Sequence, residues 1–138
     1  METILVVEDA EDIQVMLCFA LKRSGYKTLV AANGIEGLAV LNSNPVDLIL
    51  LDLMMPEMDG WEMLSIIQGN EALVKIPVIV VSGVADHGSW PEGATLCVQK
   101  PIGPTLLIDA VRAILAGHTP SEKVVYGRSF RHADRPIG

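Results

Sequence analysis

A parallel α/β fold, with helices covering both faces of one sheet, is predicted by two features of this chain. Short segments rich in Val, Ile and Leu alternate with stretches of helical period, and three of the five short segments are nearly continuous apolar runs. Strands buried on both faces read this way, and strict alternation with helices implies right-handed crossovers between parallel neighbours. Strands are expected over residues 3–7, 27–32, 46–51, 77–82 and 95–99.

The intervening stretches supply the helices. Residues 11–24 place Ile13, Leu17, Ala20 and Leu21 on one face, with Gly25 as the stop signal. A second helix follows Asn33, a good N-cap, and runs to residue 43. Further helices are expected over residues 60–68 and 105–116. Residues 83–94 differ: they contain Gly83, Gly88, Gly93 and Pro91, lack an apolar stripe, and read as a loop or a short, poorly formed helix.

Composition narrows the class. A chain of 138 residues suits one compact domain, and a content that is 50% hydrophobic and 20% charged argues against wholesale disorder. Mean hydropathy is positive, yet charges interrupt every apolar stretch before the roughly 18 residues a spanning helix needs, so no membrane association is expected. The N-terminus lacks the basic start and cleavage site of a secretory signal, and a cytoplasmic location is expected. Cys18 and Cys97 have no metal-ligand spacing and read as buried thiols, and Met54, Met55, Met58 and Met63 read as packing residues rather than a sulfur metal site. The net charge of −7 is uneven: residues 1–119 carry −9, whereas 120–138 carry +2 through Lys123, Arg128, Arg131 and Arg135. An acidic body is a poor nucleic-acid binder. Residues 119–138 are expected to form a tail that is too short for an output domain. Packing, pairing as an edge strand and disorder are all open for it.

In an open α/β sheet, ligands bind beyond the carboxyl ends of the strands. The first strand ends at Glu8-Asp9, the third at Asp52, the fourth at Ser82 and the fifth at Lys100-Pro101. Three carboxylates, a hydroxyl and an ammonium therefore converge on one edge. Crowded carboxylates repel unless a cation neutralises them, and Mg²⁺ favours a few carboxylates, a carbonyl and water. A carboxylate can also accept a phosphoryl group as an aspartyl phosphate, a transfer that needs little beyond in-line positioning and charge neutralisation.

The segments Val6-Val7-Glu8-Asp9, Leu50-Leu51-Asp52-Leu53-Met54-Met55-Pro56-Glu57-Met58-Asp59-Gly60, Val80-Val81-Ser82-Gly83 and Gln99-Lys100-Pro101 resemble the receiver domains of two-component response regulators. Asn33-Gly34 and Pro45-Val46-Asp47 fit as well, and the resemblance covers roughly residues 3–117. It implies a flavodoxin-like, doubly wound sheet of five parallel strands, here with the fourth helix short or missing, and a receiver domain over 1–118. It implies that Asp52 takes phosphate from a histidine kinase or phosphotransfer protein. Glu8, Asp9, Asp52 and the backbone carbonyl of Met54 would hold Mg²⁺. Ser82 would follow the phosphoryl group, Lys100 would contact one of its oxygens, and Pro101 would follow a cis peptide bond. The output would be a contact with an unidentified downstream protein, made by a monomer or weak dimer.

Three departures from the family stand out. Cys97 occupies the position three before the lysine, where the family usually has an aromatic side chain. Only eighteen positions separate Ser82 from Lys100, about a turn fewer than usual, and the shortening falls in 83–94. Met54 and Val84, two places beyond acceptor and hydroxyl, cannot hydrogen-bond an attacking water well, so self-dephosphorylation is expected to be slow. Cys97 and the short segment leave open a second reading, a receiver fold used as a phosphorylation-independent binding module. A phosphatase of the haloacid dehalogenase type also uses an aspartate after a strand, but it wants a second acid where this chain has Met54.

Overall fold

The computed structural model describes residues 1–83, 91–101 and 103–118, together with the backbone of 124–126. The order of elements is β1 (Thr3–Val7), α1 (Glu11–Arg23), β2 (Lys27–Ala31), α2 (Gly34–Ser43), β3 (Leu48–Asp52), α3 (Gly60–Gln68), β4 (Val78–Ser82), β5 (Leu96–Gln99), α4 (Pro104–Leu115) and β6 (Val124–Tyr126). The strands form one sheet in the order β2-β1-β3-β4-β5-β6, with every neighbouring pair parallel. The five expected strands are all present, and β6 adds a sixth at the β5 edge.

β1, β3 and β4 are buried along their whole length, which is why their sequences show no polar alternation. Their side chains divide between two cores. On one face Leu5, Val7, Ile49, Leu51 and Val80 meet Leu41 of α2 and Met63, Leu64 and Ile67 of α3. On the other Ile4, Val6, Leu50, Ile79 and Val81 meet Leu17 and Leu21 of α1 and Leu107, Val111 and Ile114 of α4. The alternation along each strand thus feeds both layers at once.

Helix ends follow the local chemistry. After α1, Gly25 adopts φ +96°, its N–H bonds the carbonyl of Lys22, and the Tyr26 N–H reaches back to Leu21. Gly117, at φ +88°, closes α4 in the same way, with the amides of Gly117 and His118 on the carbonyls of Ile114 and Ala113. This paired closure needs a left-handed residue, which glycine supplies without a steric penalty. At the other ends, Asn33 caps α2 by accepting the Glu36 N–H and Asp59 caps α3 by accepting that of Glu62.

Among the described residues no helix lies between β4 and β5. The expectation for that connection falls largely on 84–90, outside the described residues, as do Val84, His87 and Trp90 and the side chains of the tail. Two expectations are corrected. Cys18 is only half-buried, although Cys97 is buried. Met54 is exposed rather than packed, because it follows the last inward position of the β3 edge, whereas Met63 is fully buried. Among the described residues no helix is long and apolar enough to cross a membrane.

Candidate functional site

The strand order reverses at β1, which has β2 on one side and β3 on the other. Crevices in doubly wound sheets open at such a switch point, beyond the carboxyl ends of the strands. Val7 pairs with Leu51, so Glu8 and Asp52 are the next residues on adjacent strands. Asp52 pairs with Val81, Ser82 pairs with Gln99, and the Lys100 N–H bonds the Ser82 carbonyl at 2.8 Å. The register thus brings all four strand ends to one level.

The side chains converge accordingly. Lys100 Nζ lies 3.0 Å from Glu8 Oε1 and 3.8 Å from Asp52 Oδ2. The second oxygen of Glu8 accepts the Ala10 N–H at 3.1 Å. Asp52 Oδ1 accepts the Met54 N–H at 3.4 Å, a long bond. Glu8 and Asp52 are buried and Asp9 is exposed, yet carboxylate oxygens of all three lie within 4.8 Å of one another. The Lys100–Pro101 peptide is cis. Ser82 is fully buried at the end of β4, and Cys97 lies in the core beneath this edge with Val80 and Ala94.

Charge balance defines what the site can do. Burial is the main force raising the Asp52 carboxyl to a pKa of about 6, and the neighbouring Glu8 carboxylate adds to it. The Lys100 ammonium and the Met54 N–H pull the other way without cancelling the rise. One ammonium among three carboxylates leaves negative charge uncompensated. Ligands on opposite sides of Mg²⁺ stand about 4.2 Å apart, so oxygens already within 4.8 Å suit a small divalent cation. The donor set is all oxygen, as hard cations require.

Several supports had no clear signature in the sequence. The Gln14 amide nitrogen donates to the Glu8 carbonyl and, at 3.4 Å, to that of Ala31, tying the start of α1 to the ends of β1 and β2. Asp47 holds the start of β1 through the Thr3 N–H at 2.7 Å. Gly60 donates its N–H to the Leu53 carbonyl at 2.9 Å, and a Cβ there would collide with the carbonyl oxygen of Asp52 and stand 2.8 Å from Leu53 Cα. Asn33 Nδ2 donates to Glu57 Oε2 at 2.9 Å. Only the Gly60 constraint could have been anticipated, from the Asp-Gly pair that opens a helix directly after a turn.

Comparison with known proteins agrees with this geometry. Residues 4–112 match the family model of the response regulator receiver domain. The chain is 30% identical over 118 residues to the polar-differentiation response regulator DivK of Brucella anthropi, covering 83% of this chain and 96% of that protein. It is 31% identical over 125 residues to the phosphate regulon transcriptional regulatory protein PhoB of Pseudomonas aeruginosa, covering 88% of this chain but only 55% of that longer protein. Among solved structures, the receiver domain of Francisella response regulator 1452 superposes with a TM-score of 0.78 at 28% identity, covering 85% of this chain and 98% of that one. The chemotaxis response regulator CheY4 of Vibrio cholerae gives 0.77 at 27% identity, covering 83% and 98%.

Proposed function

Since this chain belongs to the response regulator receiver family, we propose that it accepts a phosphoryl group on Asp52 from a histidine kinase or phosphotransfer protein and signals through a protein contact. The observation that carries the reading is the meeting of Lys100 with both Glu8 and Asp52 at the switch point of the sheet. Asp52 sits at the end of a fully buried strand, so its carboxylate is held in one place for in-line attack. In the transfer a carboxylate oxygen forms the new bond to phosphorus, the phosphorus–nitrogen bond of the donor breaks, and its electron pair returns to the imidazole.

Glu8, Asp9, Asp52 and the Met54 carbonyl are the residues that would hold Mg²⁺. When bound, the ion supplies positive charge to the phosphoryl oxygens and relieves repulsion among the carboxylates. Lys100 adds a second cation, with a side chain already aimed at Asp52 Oδ2. Ser82, buried at the neighbouring strand end, would donate its hydroxyl to a phosphoryl oxygen and so sense its arrival. Residues 1–118 would form the receiver unit.

Incubation with acetyl phosphate and Mg²⁺, followed by intact-mass measurement, tests the reading. Wild type should gain one phosphoryl group, and Asp52→Ala should gain none. An unmodified wild type would favour the phosphorylation-independent module. With Met54 exposed beside the acceptor and carrying no hydrogen-bonding group on its side chain, the modification should persist for minutes or longer.

A further inference from the structure

We propose that Asn33 and Glu57 form a clamp between α2 and the β3–α3 loop, and that Asn33 is thereby a positioning residue for the loop that follows Asp52. The inference rests on the phosphoacceptor reading for its consequence, but the clamp itself is a matter of loop structure.

Three observations locate it. Asn33 is buried at 6% exposure and uses both ends of its amide: Oδ1 accepts the Glu36 N–H at 2.9 Å, and Nδ2 donates to Glu57 Oε2 at 2.9 Å. One residue on, the Gly34 N–H bonds the Met58 carbonyl at 2.8 Å. Gly34 is also bare where it must be, since a Cβ there would stand 2.6 Å from Met58 Cγ and 3.0 Å from its carbonyl oxygen. The start of α2 and the tip of the loop are therefore joined by a side-chain bond and a backbone bond in adjacent positions.

The conformation of Glu57 is the independent sign. Its φ is +64°, the only positive value at a non-glycine among the described residues. Glycine adopts this region at no steric penalty, whereas a long side chain does not. A glutamate there needs a compensating interaction, and the charge-assisted bond from Asn33 is that interaction. The loop is pinned again at its far end, where the Gly60 N–H bonds the Leu53 carbonyl. Between these two pins lies Met54, whose N–H reaches Asp52 and whose carbonyl would join the Mg²⁺ ligands. The clamp fixes that carbonyl without touching the ion.

The bond can be broken and rebuilt with its polarity reversed. Asn33→Asp keeps an oxygen for the Glu36 N–H, so the cap of α2 survives, but it sets two carboxylates against each other at the clamp. Adding Glu57→Gln restores a donor and an acceptor in exchanged places at unchanged net charge. Hydrogen exchange of residues 54–59, read in metal-free and unphosphorylated protein, is the primary measurement. N33D should speed exchange there by about tenfold, the equivalent of one lost hydrogen bond, while α2 amides stay protected, and N33D/E57Q should return the loop to within about twofold of wild type. Calorimetric Mg²⁺ half-saturation should weaken and recover in parallel. Glu57→Ala, at an exposed position where folding is not at risk, should loosen the loop as N33D does. An unchanged loop in N33D and E57A, or a double variant no better than N33D, would overturn the proposal. Because loop exchange is read without phosphate or metal, the clamp can fail while wild type still takes phosphate on Asp52, and the converse also holds.

Discussion

Asp52 ionises against two opposing fields, and the balance predicts how the protein responds to pH. Its folded pKa of about 6 lies above the ordinary aspartate value of 3.8, so the folded state holds this proton more tightly than the unfolded chain. The resulting stabilisation is complete below the unfolded value and is lost as pH rises through about 6. In metal-free protein, ionised Asp52 therefore opposes folding at neutral pH, by about 3 kcal/mol at the upper limit. Asp52→Asn should raise the melting temperature at pH 7.5 and by only about a third as much at pH 4.5, read by thermal denaturation in a chelator. Equal shifts at both values would mean that charge is not the cause. Mg²⁺ should narrow the difference between wild type and Asp52→Asn at pH 7.5, because it relieves the same repulsion. Because Mg²⁺ favours the ionised carboxylate, the pH below which phosphoryl acceptance fails should lie under the metal-free value of about 6. Gly60 acts on the same residue from behind. Gly60→Ala drives a methyl group into the Asp52 carbonyl, a backbone contact that cannot rotate away. It should cost about 1–3 kcal/mol in chemical denaturation and slow acetyl phosphate labelling in the fraction that remains folded.

At the scale of elements, β1, β3 and β4 were legible because burial on both faces leaves nearly continuous apolar runs. Leu48–Asp52 reads Leu-Ile-Leu-Leu-Asp, and a polar residue ending such a run has to lie at the sheet edge. Glu8, Asp52, Ser82 and Lys100 could therefore be placed at one edge from the sequence alone. What escaped the sequence is contact between loops and helices. The Asn33–Glu57 bond joins positions 24 apart, and the Gln14 bonds to the ends of β1 and β2 depend on where α1 comes to rest. Neither leaves a periodic trace. Met54 sat in an apolar word and looked like a packing residue, because hydropathy does not say where a strand stops pointing inward. α3 shows the energetic side of this layer. Its buried face of Met63, Leu64 and Ile67 seals the core beneath β3. Ile67→Ala should destabilise the protein by about 2–5 kcal/mol, as large-to-small changes at such positions do. The midpoint of urea unfolding measures it, with the slope unchanged if only stability is altered.

The whole molecule is an acidic body whose sheet is extended by a strand from its own C-terminal segment. β5 would otherwise be an edge, a row of unpaired backbone groups open to other chains. β6 pairs Val124, Val125 and Tyr126 with Cys97, Val98 and Gln99 in parallel register, closing that row. Parallel pairing brings β6 up beside β5, the strand that leads into Lys100, after α4 has crossed one face of the sheet. This makes β6 separable from the site: no site residue lies on it, and its loss removes pairing from one side of β5 only. A chain ending at residue 118 should therefore fold and take a phosphoryl group on Asp52 from acetyl phosphate as the longer chain does. It should lose about 1–3 kcal/mol of stability, the scale of a few ladder hydrogen bonds and the packing that goes with them. Its bare β5 edge should also show as concentration-dependent association in sedimentation velocity, strongest at high salt, where repulsion between acidic bodies is screened. Failure of the truncated chain to fold, with the longer chain intact, would place β6 inside the receiver unit and move its boundary past Tyr126.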